Sequence, residues 1–582
     1  MRRLFIVASL GALVPGPVAR AQSVPATAPP ARYWVTLSDK DGVAFDSHTY
    51  FSVATRARRA RQHLPAADAT DRPVRPDYVA GIRTAVDTVT LVSRWFNAVA
   101  VRATPAQAAA LGGLPGVREV VAWPQQPAPD AVATHAAAHA RHFAAENPYI
   151  APNDYRLARR QTAALGAAAW NRAGLDGRGL RIALFDVGFR GVDSHPAFAA
   201  LRARGGIVAT HDFLANRPDV YRGGSHGTEV LGCLAGRLPA GPGSDAAGPP
   251  GPALGLAPAA DYLLARTERA LRETLSEEEA WLAAAEWADR EGADIINSSL
   301  AYTEQRYFPE EMNGRRSLVA RAAALAARKG MLVVCAAGND GDTDWVRIGT
   351  PADADSVLAV GGLDPDTGLH LAFSSVGPSA DRRVKPDVSA FGIVLTTTPG
   401  GDYERLEGTS FAAPLVAGFA ACAWQHNRRL TAAQLYGQLR AAGQLYPYFD
   451  YANGYGLPQT AYFLDTAPVR PLAPTFDFVP NDSLVAVVIR PAAAVRPARA
   501  LPLVAEMTQE DSNPATDGPV LAPDPDFPAY LYWHLADRHG VLHRYEVRAV
   551  TQRLVLQVPR RLLLRGDALR VEFKGYTATY SE

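Results

Sequence analysis

The sequence predicts an α/β domain with a mostly parallel sheet, preceded by a small α+β unit and followed by an all-β, sandwich-like domain. From about residue 152, helical segments alternate with short apolar strands, which is typical of consecutive βαβ units. Residues 22 to about 130 instead fit a βαββαβ order. After a Pro-rich linker that follows residue 465, the pattern consists almost entirely of strands. A chain of 582 residues is long enough for several domains.

The first 21 residues predict a secretory signal peptide. Two arginines precede an apolar stretch that ends at Ala19-Arg20-Ala21, so we expect cleavage after Ala21. The stretch is short and contains two prolines, which favours removal over membrane anchoring. No later run of about 18 apolar residues occurs. We therefore expect a secreted protein with no membrane span after signal removal, with the periplasm or the cell surface as alternative locations.

Residues 22–130 form the small α+β unit. Its strands are predicted at 33–37, 94–101 and 116–123, and a helix begins after Thr104. Between the first two strands lies the segment ATRARRARQH, which carries four arginines: Arg56, Arg58, Arg59 and Arg61. Because charge runs are usually solvated, we interpret this segment as an exposed helix face and not as a binding patch.

A connector rich in Ala and Pro runs from about 125 to 150, and we place the linker itself at 131–151. It carries His135, His139 and His142 at a spacing that could bind a metal on one helix face. No cysteine or nearby carboxylate completes the ligand set. We therefore predict no metal site there.

The overall charge bears on possible partners, and the cysteine content bears on disulfides. Lys and Arg number 59 against 58 Asp and Glu, which gives a net charge of +1 and no electrostatic reason to expect nucleic acid or an anionic membrane. Three cysteines lie in apolar, small-residue segments: Cys233, Cys335 and Cys422. We expect buried, unpaired thiols, with one disulfide or a redox role as alternatives.

Three polar residues of the α/β domain stand where a strand ends or a helix begins. Asp186 ends the strand RIALF, His226 opens a helix in SHGT, and Ser410 opens another in GTSFAAP. In α/β folds such positions face the cleft in which ligands bind. The three residues are 40 and 184 positions apart, which suits one large catalytic domain.

These residue types fit nucleophilic catalysis. A serine hydroxyl needs a neighbouring base, and histidine can accept its proton while its other nitrogen donates to a carboxylate. Asn339, at the end of an apolar strand, can donate to an oxyanion together with the Ser410 N–H. The chain order Asp, His, Ser disfavours an α/β-hydrolase, which has another order. So does Ala412, two residues after Ser410, where the α/β-hydrolase motif needs glycine.

Eight motifs in this region occur in the order found in one peptidase family: IALFDVGF, HGTEVLG, GLAPAADYLLART, ADIINSSL, VVCAAGND, FSSVGP, KPDV and GTSFAAPLVAG. On these motifs, residues 152–465 resemble the subtilisin-like serine peptidases, or subtilases. The resemblance implies a subtilisin-like three-layer domain and a serine endopeptidase that forms an acyl-enzyme. It also implies roles for four residues: Ser410 as nucleophile, His226 as general base and acid, Asp186 as the group that orients His226, and Asn339 as oxyanion donor.

The same resemblance implies how substrate and inhibitor bind. The segment Ser299-Leu300-Ala301 would line the cleft as an edge strand that pairs with a polypeptide substrate, and Ala337 and Gly338 would contribute to the same surface. Residues 22–130 look like an inhibitory propeptide, so that the linker holds the cut and the chain's own propeptide is an intramolecular partner. We expect no required cofactor.

Two departures from the family pattern leave alternatives open. Val187 stands where the family usually has Ser or Thr, so backbone donors must support the Asp186 carboxylate, and Ala301 replaces a usual glycine. One alternative is a catalytically inactive protein that binds peptides; another is a surface-binding protein that uses the C-terminal β domain, residues 466–582.

An acidic segment leaves the question of calcium open. Asp340, Asp342 and Asp344 loosely resemble a calcium loop, but the glutamate and the spacing of a standard loop are absent. We interpret the segment as a solvated acidic loop. Calcium stays open as a structural ion because related enzymes often bind it.

Overall fold

The computed structural model describes residues 30–123, 141–142, 152–239, 251–269, 273–303, 306–465, 472–493, 529–550 and 554–581. The α-helices of these residues are α1 (Ser47–Tyr50), α2 (Val53–Arg61), α3 (Pro76–Ala85), α4 (Pro105–Leu111), α5 (Pro152–Ala163), α6 (Ala167–Arg172), α7 (Ala199–Ala203), α8 (His226–Ala235), α9 (Leu275–Glu291), α10 (Leu318–Arg328), α11 (Thr409–His426), α12 (Ala432–Ala441) and α13 (Ala461–Leu464).

The strands are β1 (Ala31–Leu37), β2 (Thr88–Ser93), β3 (Ala98–Ala103), β4 (Val117–Ala122), β5 (Arg141–His142), β6 (Arg181–Asp186), β7 (Ile207–Asp212), β8 (Asp261–Arg266), β9 (Ile295–Ser298), β10 (Leu332–Ala336), β11 (Val357–Leu363), β12 (Val388–Phe391), β13 (Ile393–Thr397), β14 (Tyr403–Glu407), β15 (Phe476–Pro480), β16 (Leu484–Ile489), β17 (Ala529–Ala536), β18 (Leu542–Val550), β19 (Val555–Pro559), β20 (Ala568–Phe573) and β21 (Tyr576–Ser581).

A seven-stranded sheet with the order β12-β11-β10-β9-β6-β8-β7 forms the centre of the α/β domain. Every pair of neighbours in it is parallel. Its strands read as nearly continuous apolar runs because helices cover both faces. Since the strands are parallel, their carboxyl ends lie along one edge of the sheet. The predicted fold class is confirmed, and this edge is where Asp186 lies.

Helices cover the sheet in two layers. α8 and α11 share one apolar core with the strands, and α9 and α10 share another with the opposite face. From Thr409 to Trp424 every residue of α11 is buried, because the sequence TSFAAPLVAGFAACAW is apolar around the whole helix. The first turn of this central helix therefore holds Ser410 in a fixed place at the end of the sheet.

The N-terminal unit is a four-stranded antiparallel sheet with the order β2-β3-β1-β4. The prediction of one strand over residues 94–101 was wrong: residues 94–97 form a turn between β2 and β3. Asn97 adopts a left-handed conformation with φ of 48°, which asparagine tolerates better than most residues. Its amide Nδ2 donates to the carbonyls of Leu37 and Asp39, which ties the turn to the end of β1.

One face of this unit packs on the helices of the α/β domain. Trp34, Trp95, Ala98 and Ala100 belong to the same apolar core as Trp281 and the alanines of α9. The expectation of a solvated arginine face on α2 was also wrong for Arg58 and Arg59, which are 0% and 2% exposed. Acidic partners from distant parts of the chain compensate their charge.

Little of the connector falls within the described residues. The backbone of β5 pairs with β14, His142 opposite Leu406. His135 and His139 lie outside the described residues, so their predicted structural role stays a prediction.

The C-terminal region contains two antiparallel sheets, β15-β16-β19 and β18-β17-β20-β21. Side chains from both sheets, among them Phe476, Val487, Trp533 and Phe573, form a single apolar core, as in a sandwich. The prediction of an all-β region is thus confirmed.

Two further expectations concern the described part of the chain as a whole. None of its helices combines the length and the apolarity that crossing a membrane requires. All three cysteines are buried and unpaired, as expected from their apolar segments.

Candidate active site

Asp186 and His226 form a hydrogen-bonded pair at the carboxyl edge of the sheet. Asp186 ends β6 and is fully buried, and His226 is the first residue of α8. The distance between His226 Nδ1 and Asp186 Oδ1 is 2.8 Å. The backbone N–H of Val187 donates to the same Oδ1 at 2.7 Å. A main-chain donor thus supports the carboxylate where Val187 lacks the hydroxyl of the usual residue.

The surroundings of His226 favour its protonated form. Burial by itself lowers the pKa of the imidazole, but the carboxylates of Asp186 and Glu229 outweigh burial and raise the pKa of His226 to about 9. Its second nitrogen, Nε2, is buried and makes no hydrogen bond to any of the described residues. This nitrogen is therefore the one left to exchange a proton with another group.

Ser410 lies in the first turn of α11, beside this pair. The ring of its neighbour Phe411 lies 5.7 Å from the His226 ring, measured between centroids. Ser410 Oγ donates to the Ser299 carbonyl at 3.1 Å, and Ser299 Oγ donates to the Ser410 carbonyl at 2.8 Å. The serine hydroxyl is therefore held against the segment that follows β9, and rotation about its Cα–Cβ bond would release it.

Asn339 is fixed by the residue that precedes Ser410. Its Oδ1 accepts hydrogen bonds from the Thr409 N–H at 2.8 Å and from Thr409 Oγ1 at 2.9 Å. With this oxygen engaged, the Nδ2 end of the amide is left as a donor. Gly338 has a φ of +117°, and a Cβ at this position would come within 2.7 Å of Ser375 Oγ. The backbone that presents Asn339 therefore requires glycine.

The predicted substrate-binding residues follow two neighbouring strands. Ser299, Leu300 and Ala301 come directly after β9, and Ala337 and Gly338 come directly after β10, which pairs with β9 in parallel. All except Ala301 are buried. The sheet thus brings both segments to the edge that holds Asp186.

Two residues that the sequence analysis did not single out belong to this site. Arg266 Nε donates to the Val187 carbonyl at 2.7 Å, and its Nη1 pairs with Asp212 at 3.0 Å, so it secures the turn after Asp186. Glu229, one turn after His226, is 3% exposed and contributes to the raised pKa of the imidazole. A signal for Arg266 existed in the motif DYLLART, where a charged residue ends an apolar strand.

The acidic segment after Asn339 forms a turn. Asp342 and Asp344 are exposed, and the Asp340 N–H donates to Ser375 Oγ at 3.0 Å. The described residues contain no group of three or more His, Cys, Asp or Glu side chains that could hold a metal ion.

Two protein families match the chain. The Subtilase family matches residues 177–456, and a family described as the peptidase S8 propeptide domain of Bacteroidota matches residues 32–138. The second match covers the N-terminal α+β unit that packs on α9.

Curated relatives match the α/β region. Subtilisin NAT of Bacillus subtilis subsp. natto is 32% identical over 292 residues, which are 50% of this chain and 67% of the relative. Subtilisin BL of Lederbergia lenta is 32% identical over 277 residues, 47% of this chain and 86% of the relative. A solved structure described as a cold adapted subtilisin-like serine proteinase matches with a TM-score of 0.36 and 24% identity, over 46% of this chain and 84% of that one.

Proposed function

The chain belongs to the subtilase family of serine endopeptidases, and we propose that it hydrolyses peptide bonds with Asp186, His226 and Ser410 as its catalytic residues. The observation that carries this proposal is the 2.8 Å hydrogen bond between His226 Nδ1 and Asp186 Oδ1, at the edge of the sheet where α11 presents Ser410. Such a bond fixes the imidazole so that Nε2 is the nitrogen available to a nucleophile.

The reaction would proceed through an acyl-enzyme, which forms first and is then hydrolysed. Ser410 Oγ turns from the Ser299 carbonyl toward His226 Nε2, gives up its proton and attacks the carbonyl carbon of the peptide bond. The resulting imidazolium is stabilised by Asp186. His226 then passes the proton to the leaving amine, and a water molecule hydrolyses the ester by the same route in reverse.

Negative charge on the substrate oxygen would be stabilised by two donors. One is Asn339 Nδ2, whose orientation is set by the two bonds from Thr409 to Oδ1. The other is the Ser410 N–H at the start of α11, where the helix dipole also favours negative charge. Loss of one such donor costs about 10²–10³-fold in turnover, a magnitude known from subtilisin itself.

The raised pKa of His226 would govern the pH dependence. Only neutral imidazole can accept the Ser410 proton, so a pKa of about 9 means that the base is mostly protonated at pH 7 in the uncut chain. Activity should therefore rise as the pH increases toward 9.

The proposal extends to partners and location. Polypeptide substrates would pair with the backbone of Ser299–Ala301, and the unit formed by residues 22–130 would act as an intramolecular inhibitor that is cut away within 131–151. Secretion follows from the signal-peptide pattern in residues 1–21. No step requires a cofactor.

Labelling with a fluorophosphonate probe tests the function directly. We expect one adduct on Ser410, located by mass spectrometry, together with cleavage of casein. Both signals should be lost in Ser410→Ala and kept in Ser194→Ala, which removes an exposed hydroxyl elsewhere. A folded, processed protein that gives no adduct on Ser410 would contradict the proposal and favour an inactive peptide-binding protein.

A further inference from the structure

Part of the contact between the propeptide and the peptidase domain lies at the edge of the sheet opposite the active site. β6 runs from Arg181 to Asp186, so its two ends are about 16 Å apart. At the Arg181 end, the Arg181 N–H donates to Asp294 Oδ2 at 3.0 Å. α9 ends nearby at Glu291, and Arg181 Nη1 donates to the Glu291 carbonyl at 2.5 Å. This edge holds none of the proposed catalytic residues.

Two consecutive arginines of α2 are buried at this edge. Arg58 pairs with Asp289 and also donates to the Ala293 carbonyl. Arg59 Nη2 pairs with the other oxygen of Asp289 at 3.0 Å. The side chains of both arginines are at most 3% exposed, and that of Asp289 is 2% exposed. A single peptidase carboxylate therefore binds two propeptide guanidinium groups away from water.

The charges of the two domains are reciprocal. Lys329 of the peptidase domain pairs with the propeptide residues Asp71, at 2.6 Å, and Asp68, at 3.2 Å. Arg59 also pairs with Asp71, at 2.8 Å, which links this pair to the arginines. The three cationic groups are matched by three carboxylates, so no buried charge is left uncompensated. We call the peptidase side of this arrangement the arginine socket: Asp289, Lys329 and the Ala293 carbonyl.

The surfaces around the arginine socket fit closely. Thr55 Oγ1 donates to the Asp289 carbonyl at 2.6 Å, which occupies an acceptor at the end of α9. Gln62 Nε2 donates to the Gly330 carbonyl at 2.6 Å. At Gly292, which has a φ of +90°, an added Cβ would lie 2.5 Å from the Cβ of Ala54. Backbone and side chains of α2 are thus matched to the ends of α9 and α10.

We propose that the arginine socket is a recognition site for a helix with paired arginines, and that it holds the propeptide on the peptidase independently of the substrate cleft. The proposal rests on the proposed function only in taking residues 22–130 as the inhibitor. After the connector is cut, the propeptide would stay bound through this second site. Release would require breaking the ion pairs of Arg58 and Arg59, and the freed peptidase would expose Asp289 as a site for arginine-bearing helices.

Losing one partner of a buried ion pair weakens binding much more than replacing both partners, and this difference gives a test of the site. Removing one partner leaves the other charge buried without compensation, and this weakens binding by about 30-fold or more. Replacing both partners by apolar side chains of similar size can leave binding nearly unchanged. The two kinds of variant therefore separate a true ion-pair socket from a set of incidental contacts.

Hydrogen exchange of the uncut full-length chain, in a Ser410→Ala background, tests the proposal without relying on catalysis. In Arg58→Met/Arg59→Met we expect the amides of Val53–Arg61 to exchange at least about 30-fold faster than in the parent. Adding Asp289→Leu to these two changes should restore part of the protection. Arg56→Met is the matched control, because the acceptors of Arg56 among the described residues are the carbonyls of His48 and Phe51, both within the propeptide.

A second measurement follows retention of the propeptide after self-processing. The wild-type propeptide should co-elute with the peptidase in size-exclusion chromatography even when a fluorophosphonate occupies Ser410. In the double arginine variant, which keeps the apolar contacts with α9, a smaller fraction of the propeptide should co-elute. If the double variant does not fold, Arg59→Lys, which keeps the charge but loses the two-pronged contact, should exchange about tenfold faster. If α2 in the double arginine variant or in Arg59→Lys exchanges no faster than in the Arg56→Met control, the proposed role of the arginine socket is wrong. Absence of self-processing would count against the proposed function alone.

Discussion

Asp186→Asn should lower the pKa of His226 and shift the pH dependence of Ser410 reactivity toward acid. The substitution keeps the shape of the side chain but removes the charge that faces His226 Nδ1 at 2.8 Å. The burial of the imidazole, which opposes protonation, stays in place. The neutral form of His226 should therefore become dominant at a lower pH than in the parent protein.

The size of the shift follows from the geometry of the pair. Two unit charges about 4 Å apart attract each other by about 4 kcal/mol at an effective dielectric constant near 20. One pKa unit corresponds to about 1.4 kcal/mol, so the loss of this attraction lowers the pKa of His226 by about 3 units. From a starting value of about 9, the pKa should fall to about 6. The wrong imidazole tautomer should also lower the maximal rate by about 10⁴-fold.

The assay is the rate of fluorophosphonate labelling of Ser410 between pH 5 and pH 10, with the adduct quantified by mass spectrometry. Labelling requires a neutral His226, so the midpoint of the pH profile reports its pKa. Parent and variants must be compared in the same state, with the propeptide either bound in all samples or removed from all of them. Asp193→Asn, which removes an exposed carboxylate, is the control and should leave the midpoint unchanged.

A midpoint that is the same in Asp186→Asn and in the parent would refute the reasoning. It would mean that the Asp186 carboxylate does not control the protonation of His226 or that His226 does not activate Ser410. A lower rate with an unchanged midpoint would point to misplacement of the imidazole without an electrostatic effect.

Three further predictions concern other parts of the chain. Arg266→Met removes the donor to the Val187 carbonyl and should lower kcat about 10- to 100-fold with little change in KM, measured with a peptide substrate. Burial raises the pKa of Glu572 to about 7 from an ordinary 4.5, so the folded state loses stability as the pH rises from about 4.5 through 7. Glu572→Gln should remove this loss, which amounts to at most about 3 kcal/mol. Hydrogen exchange in β20 should then be slower in the variant than in the parent at pH 8 but not at pH 4. Burial also raises the pKa of the Cys233 thiol to about 12 and the pKa values of the Cys335 and Cys422 thiols above their usual range. Iodoacetamide should therefore modify no cysteine in the native protein and all three in urea. A thiol that reacts in the native protein would contradict this burial.

Local patterns were sufficient to predict the architecture. The alternation of apolar strands with helices identified the parallel sheet, since strands covered on both faces carry continuous apolar runs. The same patterns placed Asp186 at a strand end and both His226 and Ser410 at helix starts, and the structure has each of them there. The pattern over residues 94–101 misled because Asn97 breaks the strand by a conformation that alternation does not reveal.

What the sequence determined by itself is the set of chemical groups and the elements that carry them, because strand periodicity, helix starts and motif order depend on neighbouring residues. Only the tertiary structure decided their environments. It raised the pKa of His226 through Asp186, 40 residues away, held Ser410 Oγ on the Ser299 carbonyl, and buried Arg58 against Asp289, 231 residues away. A charged side chain looks solvated in its local sequence; whether it is buried depends on a partner that folding brings from elsewhere.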